Sequence, residues 1–548
     1  MDNKTLADLI FPNINKTIED YQKIYPKRNL DIEQAVTRFA PSPTGYMHIG
    51  GFYQAIIDFM IAKNTKGVFY LRNEDTDSER EVTGASKLIL DTLRYYDIVP
   101  SEYEFNSEIV GNYGPYIQSE RKEIYHTFIK YLISIGRAYP CFCTKKELDE
   151  MRLFQEAHKV RPGYHGSFAK CRKLSVEEQV QMIKEGKPYV IRFKSNGDFD
   201  KKFRFVDEVK GLLMLNENDI DDVIMKSDNK LPTYHFAHIV DDYLMGTTHV
   251  VRGEEWLSSV PKHIEMFEAF GFTPPKYIHT PLILKKDGSS TRKISKRKDP
   301  EASMSYYKEL GYPKLAVIES LMTIINSNYE QWHDENPDKS YLDFEYNPKK
   351  MSSSGALYDL MKLEDISKNI ISKMTKDELY ASSYEWAKIY SESLTKLIEL
   401  DPDYYKAILN IEREQIKPRK DIAKYSDIES LIWYMYDELY EPSIYEWGKV
   451  TDKEEISNIL KTYMNKYYTT DSEEWFNKVK ELASELGYAA NMKDYKKNPE
   501  NYKGNVSDIA TVLRVALTSQ SKTPDLCEIM RILGKDRIEN RFRTFYID

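Results

Sequence analysis

The chain has 548 residues, of which 41% are hydrophobic and 30% are charged, a composition that indicates a globular protein with several domains. The net charge of −9 argues against a broadly basic surface, although phosphate contacts depend on local clusters of Lys and Arg. No apolar run is long enough to cross a bilayer, and the four cysteines are too few for a disulfide framework. These features predict a cytoplasmic protein with no membrane partner.

The first segment, residues 1–34, carries a loose helical pattern that Pro12 and Pro26 interrupt. We expect it to form a small extension on the outside of the first domain. The sequence assigns no chemistry to this segment.

The stretch RFAPSPTGYMHIGG, residues 38–51, predicts a strand, a tight turn and the start of a helix. Gly50 and Gly51 carry no side chain where the helix begins, so a phosphate can approach the free N–H groups and the positive end of the helix dipole. His48 stands beside them as a donor for a phosphate oxygen. Two glycines alone are more typical of an ordinary strand–helix corner.

A second strand pattern, residues 68–72, is followed by the acidic sequence NEDTD. In an open α/β sheet, ligands lie beyond the carboxyl ends of the strands, so these carboxylates are expected beside the turn at 41–51. Glu74 is placed to bind an ammonium group. Asp75 or Asp77 is expected to cap the next helix.

Two later patterns point to the same edge of the sheet. Residues 249–252 are typical of a strand that ends at Arg252. Between residues 285 and 299, Gly288 and the three hydroxyl residues that directly follow it predict a mobile loop. Its strong positive charge comes from Lys293, Lys296, Arg297 and Lys298.

Beyond Pro300 the β pattern gives way to helical apolar stripes, which predict an all-α region. The stripes cover residues 315–325, 384–400, 428–439, 456–467, 475–486 and 506–517.

Three motifs together resemble those of the glutamyl-tRNA synthetases, a family of class I aminoacyl-tRNA synthetases. Residues 38–51 resemble the "HIGH" signature in its glutamyl version, whose fourth position is Gly. LRNEDTD resembles "LRIEDTD", and KISKR at 293–297 resembles the second signature, "KMSKS". The resemblance is strong over about 36–130 and 231–310, fair to about 370 and thin beyond.

The resemblance implies an α/β fold. It consists of a class I synthetase nucleotide-binding domain of the Rossmann-like HUP type, a mixed α/β connective insertion and an all-α C-terminal anticodon-binding region. The predicted segments are an N-terminal extension at 1–34, the first half of the catalytic fold at 35–117, the insertion that binds the acceptor stem at 118–230, the second half of the catalytic fold at 231–290, the KMSKS loop and a stem-contact domain at 291–380, and the helical anticodon-binding region at 381–548.

The resemblance also implies the reaction of a glutamate–tRNA ligase of bacterial type. L-glutamate and ATP give glutamyl-adenylate and pyrophosphate, and glutamate is then transferred to the 3′-terminal adenosine of tRNA(Glu). Mg²⁺ is expected to accompany ATP, and the chain is expected to act as a monomer. The sequence leaves open whether tRNA(Gln) is a second partner, because the match is poorest in the anticodon region.

The resemblance assigns the site residues to three groups. The catalytic residues are His48, Lys293 and Lys296. ATP is expected to contact His48, Gly50, Gly51, Lys293, Ser295, Lys296 and Arg297. Glutamate is expected to contact Arg38, Ser42, Glu74, Tyr234, His238 and Arg252. The family commonly has Asn where His238 stands, and the choice of carboxylate for each of the two arginines stays open.

Cys141, Cys143 and, 28 residues later, Cys171 resemble the zinc site that some glutamyl enzymes carry in this insertion. A structural zinc needs four ligands, and the position two residues beyond Cys171 holds Lys rather than His or Tyr. His158 and His165 are alternative fourth ligands. Buried thiols without zinc are the other interpretation.

Other classes of protein fit these motifs less well. A small-molecule nucleotidyltransferase shares the His-x-Gly turn and the basic loop, but such enzymes are short and lack both the insertion and the helical half. Intact His48, Lys293 and Lys296 argue against a tRNA-binding regulator without catalytic activity. Glutaminyl-tRNA synthetases are the nearest alternative, and LRNEDTD together with HIGG argues against them.

Overall fold

The computed structural model describes residues 1–77 and 82–547. The chain divides into two compact units, Met1–Tyr306 with Ile318–Asp359 and Tyr307–Val317 with Leu360–Asp548. The six segments predicted from the sequence are a finer division and stay predictions. No helix within the described ranges is both long and apolar enough to cross a membrane.

The α-helices in chain order are α1 Asn3–Ile10, α2 Ile18–Ile24, α3 Ile49–Thr65, α4 Ala85–Tyr95, α5 Lys122–Ser134, α6 Lys145–Ala157, α7 Val176–Lys184, α8 Tyr234–Leu244, α9 Val260–Ala269, α10 Met304–Leu310, α11 Lys314–Ile325, α12 Tyr329–Glu335, α13 Leu360–Lys373, α14 Lys376–Tyr390, α15 Glu392–Leu400, α16 Pro402–Asn410, α17 Ile428–Ile432, α18 Lys453–Thr462, α19 Ser472–Glu485, α20 Met492–Lys497, α21 Val506–Thr518, α22 Leu526–Leu533 and α23 Lys535–Arg543. The strands are β1 Val36–Phe39, β2 Val68–Leu71, β3 Tyr103–Phe105, β4 Glu108–Val110, β5 Ala138–Cys141, β6 Val190–Phe193, β7 Lys202–Asp207, β8 Gly211–Asn216, β9 Val223–Met225, β10 His249–Gly253, β11 Lys276–Thr280, β12 Ile283–Asp287, β13 Ser290–Lys293 and β14 Ala356–Leu357.

Two pairs of parallel strands form the floor of the first unit. β1 pairs with β2, and β10 pairs with β11. The Thr248 N–H donates to the Val36 carbonyl over 2.9 Å, which ties the start of β10 to the start of β1. Because parallel strands share one direction, Arg38 near the end of β1 and Arg252 near the end of β10 lie at the same edge.

Helix α3 follows β1 and is buried along most of its length. Its sequence, IGGFYQAIIDFMIAKNT, is apolar on nearly every side, and Ile49, Phe52, Ile56 and Met60 are fully buried. The helix packs on β1, β2 and β10. Its N-terminus is thereby held at the strand edge that carries the two arginines.

The predicted N-terminal extension consists of α1 and α2, which pack against α5. Leu6, Phe11 and Tyr21 belong to the same hydrophobic core as Phe128 and Leu132 of α5. The core of the first unit therefore includes this segment.

The predicted insertion contains two β structures. β5, β6 and β9 form an antiparallel sheet, and β7 and β8 form an antiparallel hairpin. Asp207, at the end of β7, is paired with Tyr277 of β11, which joins the hairpin to the parallel strands. This pairing brings a carboxylate from the insertion beside the strand edge.

The prediction of a loop over residues 285–299 is wrong for residues 285–293. β12 and β13 form an antiparallel hairpin in which Asp287 is paired with Ser290. Gly288 has φ of +62°, a conformation that closes a tight turn and that glycine adopts without strain. Residues 294–299 lie outside the strands, as predicted.

The predicted helix cap at Asp75 or Asp77 is also wrong. Helix α4 begins at Ala85 after Gly84, and no side chain caps its first turn. Asp75 instead accepts hydrogen bonds from the Ser119 backbone N–H and hydroxyl over 2.8 and 2.5 Å. The carboxylate therefore joins the segment after β2 to the short 3-10 helix Gln118–Arg121 rather than capping α4.

The second unit is helical in its described residues. α14, α16, α18, α19 and α21 surround a core that includes Ile398, Ile459, Leu460 and Leu513. Within this core the Trp475 indole N–H donates to the Tyr463 hydroxyl over 3.0 Å. The predicted all-α anticodon-binding region is confirmed, whereas beyond Pro300 the short strand β14, Ala356–Leu357, pairs with β12 and is an exception to the predicted loss of β structure.

Charged groups are buried beneath the strand edge in the first unit. On α8, Asp241 accepts from the Arg121 Nε over 2.7 Å, and Asp242 accepts from the Arg72 Nη1 over 2.8 Å and the Arg38 Nε over 3.2 Å. Although burial raises it, the pKa of Asp242 is lowered overall by Arg38 and Arg72. These ion pairs connect α8 with β1, β2 and α5.

Substitution of Asp241 by Ala should destabilise the first unit by about 3–5 kcal/mol, because it leaves the buried Arg121 guanidinium without its carboxylate. The matched control is Glu156→Ala, which breaks the exposed pair with Arg152 on α6 and should cost under about 0.5 kcal/mol. Thermal denaturation followed by calorimetry compares the two variants. Equal shifts of the midpoint would contradict a role of this network in stability.

Candidate active site

A crevice of about 560 Å³ opens at the carboxyl ends of β1, β2 and β10. It brings together predicted residues from five separate parts of the sequence. The predicted residues that line it are Arg38, Ser42, His48, Gly51, Glu74, Tyr234, Arg252 and Lys296. A neighbouring cavity of about 290 Å³ shares His48 and Gly51 and adds Gly50 and Lys293.

His48 is the N-cap of α3. Its Nδ1 accepts from the Gly50 N–H over 2.9 Å, so the ring proton is on Nε2 when the imidazole is neutral. Burial, with help from Lys296 and Lys293, lowers the pKa of His48 to about 4. A Cβ at Gly50 would lie 3.1 Å from Nδ1, so the glycine allows the cap to form.

Arg252 crosses the floor of the crevice with its guanidinium almost fully buried. Its Nε donates to the His279 Nε2 over 2.9 Å, and its Nη1 donates to the His263 Nδ1 over 3.1 Å. The Tyr277 ring lies 4.7 Å from the guanidinium carbon. Nη2 is buried and has no hydrogen-bond partner among the described residues.

Arg38 and Glu74 are both engaged in buried ion pairs. Besides its contact with Asp242, Arg38 donates through Nη1 to the Val251 carbonyl over 3.2 Å. Glu74 accepts from the Arg72 Nη2 through Oε1 over 2.9 Å. Burial raises the pKa of Glu74, and the charges of Arg72 and Arg38 oppose this shift.

Tyr234 and His238 lie one turn apart on α8, with their rings stacked at 4.9 Å. Tyr234 lines the crevice, whereas His238 is fully buried and lies outside the set of described residues that line it. The His238 Nδ1 contacts the Tyr234 carbonyl over 3.0 Å, and burial lowers the pKa of His238 well below its usual value. His238 is therefore a neutral ring behind Tyr234.

The segment after β13, residues 294–299, contacts the turn that precedes α3. The Lys296 ammonium donates to the Tyr46 carbonyl over 2.6 Å, and burial lowers its pKa. Asp299 accepts from the Ser295 N–H over 2.9 Å and forms a bidentate pair with Arg292. Ser295 and Arg297 lie outside the described lining of both cavities.

Several residues at the crevice were missed from the sequence. Trp256, Lys226 and His235 line it, and His263 and His279 contact Arg252 from behind. His235 and Trp256 lie in LPTYHFAHIVDDYLMGTTHVVRGEEWLSS, residues 231–259, which resembles the family pattern, but no role was predicted for them. For His263 and His279 the signal was the cluster of histidines within residues 235–279, which has no fixed spacing.

The three cysteines of the insertion lie together. Their sulfurs are within 4.8 Å of one another, and the Cys143 and Cys171 sulfurs are 3.6 Å apart. The Tyr164 hydroxyl lies 3.5 Å from the Cys141 sulfur and 3.3 Å from the Cys143 sulfur. Hydrogen bonds from Cys143 and Cys171 lower the pKa of Cys141.

The two histidines predicted as alternative fourth ligands make other contacts. The His158 Nδ1 contacts the Phe154 carbonyl over 2.8 Å, and the His165 Nε2 contacts the Arg161 carbonyl over 2.9 Å. Neither histidine is part of the sulfur cluster that the described residues form. The fourth polar group beside the sulfurs is instead the hydroxyl of Tyr164, which was not predicted from the sequence as a ligand.

The parallel strands, the capped α3 and the crevice at their carboxyl edge define the catalytic domain of a class I aminoacyl-tRNA synthetase. Residues 34–333 match the family model "tRNA synthetases class I (E and Q), catalytic domain", and residues 378–546 match "Anticodon binding domain". The chain belongs to the glutamate–tRNA ligase family. The first step of this family's reaction forms an aminoacyl-adenylate from glutamate and ATP, and the second forms glutamyl-tRNA.

Relatives match over the whole chain. A glutamate–tRNA ligase from Clostridium perfringens (strain SM101 / Type A) is 48% identical over 555 residues, covering 100% of both chains. A glutamate–tRNA ligase from Acetivibrio thermocellus is 45% identical over 99% of this chain and 100% of its own. The crystal structure of a glutamate tRNA ligase from Elizabethkingia meningosepticum, in complex with its amino acid, superimposes with a TM-score of 0.77. That structure is 27% identical and covers 94% of this chain and 99% of its own.

Proposed function

We propose that the crevice binds glutamate with one arginine for each carboxylate and with Glu74 for the ammonium. The observation that carries this proposal is the buried Nη2 of Arg252, which has no partner among the described residues. A buried guanidinium N–H is costly to leave unpaired, and a carboxylate is its strongest acceptor. Arg72 contacts Oε1 of Glu74, so Oε2 is available to an ammonium, with Ser42 beside it.

The same geometry supports selection of glutamate over glutamine. A glutamine side chain carries an NH₂ group, which would face guanidinium N–H groups that can only donate. Binding glutamine therefore leaves buried donors unpaired, and such a mismatch discriminates strongly between substrates of equal size.

We further propose that the glutamate carboxylate attacks the α-phosphorus of ATP, with pyrophosphate as the leaving group. The step needs no nucleophile from the protein, so positioning and charge stabilisation carry the catalysis. The His48 Nε2–H would contact phosphate oxygens, and Lys293 and Lys296 would stabilise the charge that develops on pyrophosphate. The expected free N–H groups of Gly50 and Gly51 are instead donated to His48 Nδ1 and the His48 carbonyl, so these glycines would contribute by leaving room for the phosphates. Ser295 and Arg297 are proposed to join them when ATP is bound.

Mg²⁺ is proposed to accompany ATP and to neutralise part of its phosphate charge. Glu255 lines the smaller cavity with His48 and Lys293 and offers the carboxylate oxygen that Mg²⁺ prefers. We also propose that the chain acts as a monomer in the cytoplasm, a compartment in which its four free cysteines stay reduced.

Substitution of Arg252 by Ala should raise the KM for glutamate by roughly 10²- to 10³-fold, because a buried contact between opposite charges is lost. The KM for ATP should stay within about twofold. Arg94→Ala removes an exposed arginine on α4 and is the control. An unchanged KM for glutamate, measured by steady-state aminoacylation, would exclude Arg252 from the glutamate site.

Substitution of Lys296 by Ala should lower the rate of adenylate formation by about 10²- to 10³-fold, because it removes a positive charge aimed at the transition state. Glutamate binding should change little. Lys298→Ala removes an exposed charge from the same segment and is the matched control. Pyrophosphate exchange measures the rate, and equal losses of rate and glutamate affinity would contradict a transition-state role.

The choice of tRNA is tested by charging purified tRNA(Glu) and tRNA(Gln) transcripts with labelled glutamate and, separately, with labelled glutamine. We expect glutamate to be attached to tRNA(Glu) and glutamine to neither transcript. Glutamate on tRNA(Gln) as well would assign a relaxed choice to the anticodon-binding region. Charging with glutamine would contradict the proposed carboxylate pocket.

We propose that Cys141, Cys143, Cys171 and Tyr164 hold a structural zinc ion. The sulfur separation of 3.6 Å suits two thiolates bound to one zinc, since each Zn–S bond is about 2.3 Å long. The Tyr164 hydroxyl completes a set of four donors around the cluster. Bound zinc would fix the segment around β5 to the turn that contains Cys171, which stabilises the insertion.

Metal analysis of the purified chain should give about one zinc ion per chain, and Cys143→Ser should lose it. Cys527→Ser is the matched control, because Cys527 is a buried thiol in the second unit. Tyr164→Phe should keep zinc with a lower affinity in competition with a coloured chelator. Zinc-free protein from zinc-supplemented cultures would exclude the metal.

A further inference from the structure

A continuous line of hydrogen bonds passes through Arg252. The Asp207 carboxylate contacts the His279 Nδ1 over 2.6 Å, and the His279 Nε2 accepts from the Arg252 Nε over 2.9 Å. On the other side, the His263 Nδ1 accepts from the Arg252 Nη1 over 3.1 Å, and the His263 Nε2 lies 2.9 Å from the His235 Nδ1. We call the four side chains that extend on either side of Arg252 the histidine line: Asp207 and His279 on one side, His263 and His235 on the other.

The direction of every hydrogen bond in the histidine line follows from the guanidinium. Arginine can only donate, so His279 must accept through Nε2 and therefore carries its proton on Nδ1, which donates to Asp207. His263 must accept through Nδ1, so its Nε2–H donates to His235. Each ring is thereby limited to one tautomer, and neither can rotate without losing two hydrogen bonds.

Burial keeps these rings neutral. It lowers the pKa of His279 and of His263 with help from the Arg252 charge, although the Asp207 carboxylate partly opposes the shift of His279. His279 and His263 are fully buried. Neutral rings are required, because a protonated imidazole would present a donor to a guanidinium that can only donate.

The partners of Arg252 differ in charge from those of the structural arginines. Arg72 and Arg121 are paired with the carboxylates of Asp241, Asp242 and Glu74. The hydrogen bonds that Arg252 donates through Nε and Nη1 go to neutral imidazoles, and the Tyr234 hydroxyl is a further neutral partner. The guanidinium is thus fixed in direction while its full charge remains available to an anion in the crevice.

We propose that His263 and His279 are positioning residues for the substrate carboxylate. They occupy Nε and Nη1 of Arg252, hold its plane against the Tyr277 ring and direct Nη2 into the crevice. This inference rests on the proposed role of Arg252 in glutamate binding. It adds residues that never touch glutamate but set the geometry of the group that does.

The first test compares variants that remove the acceptor with variants that keep it. His263→Leu and His279→Leu should each raise the KM for glutamate by about 10- to 100-fold, while the KM for ATP stays within about twofold. His263→Asn places an amide oxygen near the former Nδ1, and His279→Gln places one near the former Nε2. These two variants should recover most of the lost glutamate affinity.

Matched controls separate positioning from packing. His249→Leu changes a half-buried histidine on the same strand as Arg252, away from the crevice lining, and should leave the KM for glutamate unchanged. Melting temperatures of all variants report on packing. If the Leu variants merely loosened the core, Asn and Gln would not rescue them and the KM for ATP would rise in parallel.

Arg252→Ala distinguishes failure of the inference from failure of the proposed glutamate site. If Arg252→Ala raises the KM for glutamate but both Leu variants leave it unchanged, the positioning role is wrong and the glutamate site stands. If Arg252→Ala itself leaves the KM unchanged, both are overturned. Folded Leu variants with a selective rise in the KM for glutamate, together with rescue by Asn and Gln, support the inference.

Discussion

Buried guanidinium groups are the constraint on which the catalytic unit depends. Arg72 and Arg121 lie below the crevice and Arg38 lies at its floor, and all three are too buried for water to solvate them, so each needs acceptors from the protein. Asp241 and Asp242, adjacent on α8, give each of the three arginines a carboxylate partner. Because α8 thereby contacts β1, β2 and α5 at once, its two carboxylates fix the strand ends from which substrate-facing groups reach the crevice.

The charge of the acceptor distinguishes Arg72, a structural arginine, from Arg252, one of the two arginines proposed to bind glutamate. A carboxylate beside a guanidinium cancels much of its attraction for a second anion, whereas a neutral imidazole fixes its direction without cancelling its charge. Arg72 is of the first kind and Arg252 is of the second. An acidic chain with a net charge of −9 can therefore present a local positive field to an anionic substrate.

Contiguous motifs made most of the crevice predictable from the sequence. The turn before α3 and the strand ending at Arg252 are local patterns whose chemistry is visible in adjacent residues. The residues behind them were not predictable: His263 lies on α9, His279 on β11 and Asp207 on β7. The pairing of β7, β10 and β11 brings Asp207 and His279 to Arg252, and the packing of α9 beside α8 brings His263 there. No single-sequence pattern specifies these contacts. The hairpin at β12 and β13 was missed because its polar composition concealed the turn geometry of Gly288.

Selection of a carboxylate over the amide of equal size cannot rest on the shape of the pocket. This selection requires a hydrogen-bond donor that cannot act as an acceptor and whose direction is fixed. Arginine meets the first condition by its chemistry, and for Arg252 the second is met by His263 and His279, because rotation of the guanidinium would break both hydrogen bonds. An amide NH₂ placed against Nη2 would then leave two donors facing each other in a buried site. In the proposed glutamate site, neutral histidines behind the arginine would contribute to discrimination as directly as the positive charge in front of them.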